Sequence, residues 1–542
     1  MALFRSCSLL SVCLYAALSQ AEPALSQKSK ISSATRRELR AVQVFDKARS
    51  GQANGLTLEA FLRRMPKGGD LHMHLSGAIY AETFIRDAIV DGLCVNPSTD
   101  AFVRDTAHTA PGSCRQGTVS ASTVLKDQKL YDALVDSFSM RAFVPTSGIN
   151  GHDQFFATFD RFGGLDKSHT AEWLDEVASR AATQNEQYLE VMVTPTFSAS
   201  ARLGQSLGWP DPPVSQAQPD VTGATSQQLS GLRTKLLEGA VRAEAAIDRE
   251  ELDQTLAARA SFEHCGQPDA KPACAVTIRF IYQILRAFPP QQVFAQTLLG
   301  FEVASSDPNV VGINFVQPED SYESMREYSR QMRMLDYLHA NYPKVHITLH
   351  AGELVPGMVP PEGTSFHIRE AADLGHAERI GHGVDVMHET DPYALLREMA
   401  DRHIMVEINL TSNDVILGIV PPFHPLPLYR EAHVPVALST DDEGVSRIDI
   451  THEYTRAALE YHLGYLDLKQ MARTSIEHSF LSGESLWQKL DNFTRVNVAC
   501  AGQKVGSAST AGACTRFLKA NEKAAQQWEL EHRFTVFEST LP

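Results

Sequence analysis

The chain has 542 residues, of which 43% are hydrophobic and 21% charged, with a formal net charge of −16. That is globular composition, and the length suffices for one large domain or several ordinary ones. The acidic balance works against nucleic acid phosphates and anionic membrane surfaces as partners and leaves small neutral or cationic molecules.

The first predicted element is a secretory leader. Arg5 supplies a basic start, residues 8–18 are apolar but too short to span a bilayer, and Ser19-Gln20-Ala21 reads as a small-x-small cleavage site. Residues 1–21 are therefore expected to be removed and the protein to be secreted or periplasmic. No later stretch is long and apolar enough for a transmembrane helix, so no membrane insertion is expected. Cys7 and Cys13 leave with the leader. The other six cysteines fall as sequence-local couples, and in an oxidising compartment the simplest pairing is Cys94 with Cys114, Cys265 with Cys274 and Cys500 with Cys514.

Residues 22–33 read as disordered. Helical spacing follows at 34–48 and 57–64, giving an N-terminal helical extension over 22–64. The first strand is predicted at 69–75. Residues 92–125 are rich in Ser, Thr, Pro, Gly and Cys and read as an insertion held by the first disulfide. Residues 130–182 are helical, with breaks near 148 and 163, and a second strand follows at 188–193. The polar, Pro- and Gly-containing segment 195–228 is expected to be a long loop, and 229–263 returns to helix. A third insertion is expected near 265–274.

Six further strand-like runs lie at 276–282, 310–316, 345–350, 379–381, 405–410 and 434–439, with helical segments between most of them. Eight strands alternating with helices predict a parallel sheet. The repeat count favours a closed (β/α)8 TIM barrel over about 65–490, with a doubly wound open sheet as the alternative. Residues 491–542 are expected to form a disulfide-stapled, helical C-terminal extension.

In such barrels, chemistry sits at the C-terminal ends of the strands. On the first strand, His72 and His74 stand two residues apart and so share a face, while Leu71, Met73 and Leu75 take the other. Such a pair alone is more often packing than ligation. Other strand ends carry matching groups: His350 ends the fifth strand, His382 follows the sixth, and Asp441 and Asp442 follow the eighth. Imidazole and carboxylate without thiolate suit zinc or another borderline divalent ion. Glu353, three residues after His350, could reach over a bound substrate. His346 shares a face with His350 and is expected in a lower barrel layer. His264, His367, His376, His388, His403, His424 and His433 read as structural or surface residues.

Met65-Pro66-Lys67, the His72-Met73-His74 run, His350-Ala351-Gly352-Glu353, Arg379-Ile380-Gly381-His382-Gly383 and Thr440-Asp441-Asp442, in that order, resemble the adenosine deaminase family. The resemblance runs from about 65 to 445 and weakly to 479–481. The leader and N-terminal extension are similar to its secreted branch, the adenosine-deaminase-related growth factors. The resemblance implies one zinc ion per chain, held by His72, His74, His350 and Asp441. It implies that Glu353 gives a proton to purine N1, making C6 electrophilic, and that His382 orients and helps deprotonate the attacking water. Asp442 would hydrogen-bond ring N7. The chemistry agrees, because an aromatic amidine carbon resists hydroxide until the adjacent nitrogen is protonated.

Two positions depart from the family's pattern. Ser76 stands where the family usually has Asp, Glu or Asn near the ribose or purine. Gln317 stands where it tends to have glycine. Both are taken as substrate-binding positions that reshape the pocket. The expected activity is hydrolytic deamination of adenosine or 2′-deoxyadenosine to the inosine product and ammonia. The alternatives are deamination of adenine or a modified adenine nucleoside, and a non-catalytic nucleoside-binding or signalling role. The expected partner is a small purine nucleoside, and the sequence carries no reading of oligomeric state.

Overall fold

The computed structural model describes residues 35–51, 54–103, 114–210, 224 and 226–542. The predicted leader, 1–21, and the polar stretch 22–33 lie outside the described residues. The chain is organised around eight parallel strands: Gly68–His74 (β1), Glu186–Val193 (β2), Thr277–Leu285 (β3), Val310–Val316 (β4), His346–Ala351 (β5), Arg379–His382 (β6), Met405–Ile408 (β7) and Val436–Leu438 (β8). They are hydrogen-bonded in sequence order.

Closure comes from the residues just past β8. Met73 and Asp441 form a parallel bridge. There, Asp441 N–H donates to His72 O at 2.8 Å and His74 N–H to Asp441 O at 3.0 Å. The sheet is therefore a (β/α)8 barrel rather than an open doubly wound sheet. The strands are apolar because both faces are covered, one by helices and one by the opposite strands. β2 is buried along all of its residues. The barrel interior also holds charge: Arg379 on β6 lies 2.6 Å from Glu190 on β2 and 2.6 Å from Glu407 on β7, with its guanidinium 3.8 Å from the Phe480 ring centroid.

The helices follow the sequence reading with some corrections. The first runs Arg36–Ser50, started by Thr35, whose side chain accepts Glu38 N–H while Glu38 reaches back to Thr35 N–H. The segment 195–228 is not wholly a loop, because Ser198–Leu207 is helical. Gly204 lets this helix approach the helix Pro290–Ala304; a Cβ there would stand 2.4 Å from Gln291 O. Residues 211–223 and 225 lie outside the described residues. The helix expected over 229–263 is continuous, with Ser226–Leu236 running through a π-helical turn at Leu237–Val241 into Arg242–Phe262.

The insertion at 92–125 folds into three short antiparallel strands, Ala101–Val103, Cys94–Asn96 and Val119–Ser120. All three sequence-local disulfides form: 94–114, 265–274 and 500–514. His346 is not inside the barrel as expected. It sits at the lower rim with its side chain 45% exposed, stacked 4.7 Å from Phe480 and with Nδ1 2.7 Å from Glu378 Oε1. Its strand starts at that residue, so the side chain meets solvent instead of the next layer. Among the described residues, no helix is long and apolar enough to cross a membrane.

The N- and C-terminal helices are bound to the barrel through aromatic contacts. Phe61 meets Phe537 of the last helix, Glu522–Thr540, at 5.2 Å and Tyr465 at 6.0 Å, all edge to face. Phe537 is 5% exposed. Truncating a buried Phe leaves a cavity costing about 3–5 kcal/mol. Phe537→Ala is expected to lower the urea midpoint accordingly without changing the ligand cluster described next, which an unfolding titration checks.

Candidate active site

Asp70 anchors the first part of the site. Its Oδ1 accepts His72 N–H at 3.1 Å, and its Oδ2 accepts Thr440 N–H at 3.0 Å and Thr440 Oγ1–H at 2.6 Å. This ties the end of β8 to β1. Asp441 then takes φ +62, a left-handed conformation uncommon outside glycine, which aims its carboxylate across the barrel mouth.

Four side chains from three parts of the barrel converge there. His72 Nε2 lies 3.1 Å and His74 Nε2 3.2 Å from His350 Nε2. Asp441 Oδ1 stands 3.5 Å from His72 Nε2 and 3.2 Å from His74 Nε2. All four are nearly or fully buried. Ligands held about 2.0–2.1 Å from a tetrahedral zinc ion stand roughly 3.3 Å apart, which these separations match. The three histidines and one aspartate therefore fit a zinc ion.

The opposite nitrogen of each imidazole is held by a different strand. His72 Nδ1 is 2.6 Å from Glu407 Oε2, His74 Nδ1 pairs with Gln283 Oε1, and His350 Nδ1 is 2.9 Å from Asn314 Oδ1. Each acceptor favours a proton on Nδ1 and leaves Nε2 as a donor atom for a metal. Burial and the neighbouring His72, His74 and His382 hold His350 well below its ordinary pKa, which keeps it neutral. Burial opposes charge on Asp441, but the imidazoles of His72 and His74 hold its carboxylate well below the usual range.

The predicted catalytic pair stands beside this cluster. His382, at φ +70, is fully buried, and its Nδ1 is 2.9 Å from Asn413 Oδ1. Among the described residues its Nε2 has no hydrogen-bond partner. It lies 3.7 Å from Asp441 Oδ2 and 3.7 Å from Glu353 Oε1, between the ligand cluster and the predicted acid. Glu353 follows Gly352, which has φ +74. Burial above all, then the negative charges of Asp441 and Glu319, pushes its carboxyl up to about 8. Glu353 is thus a carboxylic acid at neutral pH, the form that can give a proton. It caps no helix.

These groups border a cavity of about 440 Å³ at the C-terminal end of the barrel. His74, His350, Glu353, Asp441, Asp442, Ser76 and Gln317 all line it. Asp442 fits against Gly77, where a Cβ would stand within the carboxylate's own space. Burial and then the adjacent Asp441 hold Asp442 well above its ordinary value. Gln317 has φ +92, so it keeps a conformation that glycine adopts more readily. Its Oε1 accepts Ala287 N–H at 2.9 Å, which folds the side chain onto the end of β3.

Several participants escaped the sequence reading because they have no motif spacing. Glu407, Gln283 and Asn314 orient the ligands from β7, β3 and β4. Arg286, fully buried just past β3, donates to Gln317 O at 3.1 Å and His350 O at 3.3 Å and braces three strand ends. His424, read from sequence as structural or surface, holds Asn413 at 2.8 Å and so steadies His382. Phe155, Phe156 and Phe159 on the helix Gly151–Arg161 form the apolar wall. Only the FF-x-x-F spacing of that helix could have marked them. Loss of such supporting partners costs about 10–100-fold in metal affinity or activity. Glu407→Gln is expected to weaken zinc retention by that factor, read by competition with a chromophoric chelator.

The sequence profile of the adenosine deaminase family matches residues 255–493. An adenine deaminase of Rhizobium leguminosarum is 28% identical over 218 residues, which is 40% of this chain and 62% of the relative. An adenosine deaminase of Escherichia coli is 39% identical over 140 residues, 26% of this chain and 39% of the relative. The chain thus spans less than two thirds of the length of these relatives. Among solved structures, an amidohydrolase from Burkholderia ambifaria with bound zinc has 17% identity and a TM-score of 0.52, covering 89% of this chain and 94% of the other. That likeness concerns the fold, and it agrees with the closed barrel. The family match starts beyond β1 and β2, and the barrel carries His72 and His74 to the ligands that lie within it. On the matched profile and the related sequences, residues 255–493 of this chain are similar to the adenosine deaminase family.

Proposed function

We propose that the protein is a zinc-dependent hydrolase that converts adenosine or 2′-deoxyadenosine to the inosine product and ammonia. The observation that carries this reading is the convergence of four ligand atoms beside a buried, protonated Glu353 at one cavity. His72, His74, His350 and Asp441 would hold one zinc ion per chain. When bound, the ion supplies Lewis-acid activation of water near neutral pH.

The chain's own residues do the rest. Glu353 donates its proton to ring N1 and so withdraws electrons from C6. His382, held by Asn413 at Nδ1, presents Nε2 to the attacking water, orients it and takes its proton. Asp442 hydrogen-bonds N7 and sets the plane of the ring. Ser76 meets the sugar at the mouth. Gln317 shapes the edge near N3, and the Phe155–Phe159 wall keeps bulk water from the ring. With Glu353 intact, a purely binding or signalling role has less to recommend it than turnover.

A second substrate reading, adenine or a modified adenine nucleoside, is favoured by the adenine deaminase named among the relatives and by the departures at Ser76 and Gln317. Zinc-loaded protein assayed for release of the C6 amine, ammonia from adenosine, 2′-deoxyadenosine and adenine and methylamine from N6-methyladenosine, decides between them. Turnover of adenine alone would overturn the nucleoside assignment. The predicted leader, with three disulfides in the fold, supports a secreted or periplasmic protein. We take 65–490 as the catalytic unit, with 22–64 and 491–542 as extensions packed on it.

A further inference from the structure

Glu353 stands in a turn just beyond β5, and two amides of that turn go to one side chain. Gly352 N–H donates to Glu319 Oε1 at 3.1 Å and Glu353 N–H to Glu319 Oε2 at 2.8 Å. Glu319 lies three residues beyond β4 and is 1% exposed. Its Oε1 also pairs with His367 Nδ1. The His367 ring lies flat on Tyr328, with centroids 3.8 Å and planes 12° apart, and Tyr328 Oη donates to His367 O at 2.9 Å. His367 is fully buried. Glu319 therefore has no room to swing away from the turn.

Charge and geometry agree. Burial opposes ionisation of Glu319, but His367 and Arg286 overcome it and hold the carboxyl down to about 2. A fixed negative charge thus lies behind Glu353, and it is one of the causes, after burial and Asp441, that keep the Glu353 proton in place. Neither Glu319 nor His367 lines the cavity or belongs to the ligand cluster.

We propose that Glu319, braced by His367 on Tyr328, is a positioning residue that sets the turn carrying Glu353 and so aims its proton at the purine ring. This rests on the reading of Glu353 as the acid. Glu319→Gln keeps the size of the side chain but can accept only one of the two amides, and it removes the charge. Outer partners of this kind are worth about 10–100-fold. The expected result is a fall in kcat of at least about tenfold, with zinc content unchanged and the affinity for the inosine product within about threefold of wild type.

Hydrogen exchange gives a readout that does not depend on turnover. The peptide spanning 350–356 should exchange at least about tenfold faster at the two turn amides in Glu319→Gln than in wild type. His367→Phe keeps the stack on Tyr328 and removes the donor to Glu319. It should shift both readouts in the same direction by less, and it serves if Glu319→Gln does not fold. Wild-type kcat or unchanged exchange in a folded variant overturns the proposal, as does a loss of product affinity as large as the loss of kcat. If wild-type protein deaminates no purine, the functional reading fails, and the exchange data alone still decide whether Glu319 sets the turn.

Discussion

Glu353→Gln is expected to lower kcat for the preferred purine by about 10²–10⁴-fold, the range that positioned general acids contribute. The physical case is specific. Glu353 is held protonated at neutral pH by burial and by the charges of Asp441 and Glu319, and the ring carbon stays inert until N1 receives that proton. Glutamine fills the same space and can hydrogen-bond N1, but it has no acidic proton to give. Its oxygen is not among the four converging ligand atoms, so bound zinc should remain at the wild-type level. Steady-state ammonia release, with zinc measured on the same sample, checks both halves. Activity within tenfold of wild type would show that Glu353 is not the acid.

His350→Ala is expected to have the other large effect. His350 Nε2 is the meeting point of the cluster, 3.1 Å from His72 Nε2 and 3.2 Å from His74 Nε2. Removing it leaves three donors around a hole. Zinc content should drop from about one per chain toward none after dialysis, and turnover should vanish with it. Stability offers an independent reading. A ligand present at a thousand times its dissociation constant stabilises the native state by about 4 kcal/mol. Wild-type protein should therefore melt higher with zinc than after chelation, and that gap should collapse in the variant. A variant that keeps stoichiometric zinc and full activity would move the metal site elsewhere in the cavity.

The proposed site was legible in sequence where the proposed chemistry asks for a residue type at a strand end. His72 and His74 sit two apart because a strand shows alternate side chains to one face. His350, His382 and Asp441 each close a predicted strand or follow one. The second set of residues was not legible. Glu407 looks like any strand glutamate, and its role exists because closure of the barrel leaves only β8 between β7 and β1. His367 and His424 read as structural or surface residues in sequence. They turn out to hold Glu319 and Asn413, the groups that steady Glu353 and His382. The 195–228 stretch misled because its Pro and Gly content hid the helix Ser198–Leu207, which is stabilised by packing on Pro290–Ala304 rather than by its own propensity.

By itself, the sequence determined the alternation of eight strands with helices, the placing of His72, His74, His350, His382 and Asp441 at strand ends, and the three local disulfide pairs. These are properties of short segments: apolar periodicity, strand-end chemistry and cysteine proximity act over a few residues or along one element. Only the tertiary structure decided that the sheet closes, because the bridge between Met73 and Asp441 joins residues at opposite ends of the barrel sequence. It also decided which imidazole nitrogens face one another across the barrel mouth, through Glu407, Gln283 and Asn314, and which charge stands behind Glu353. Hydrogen-bond partners drawn from separate strands carry no fixed spacing along the chain. Closure sets Glu407 2.6 Å from His72 and Asn314 2.9 Å from His350, and no local pattern records it.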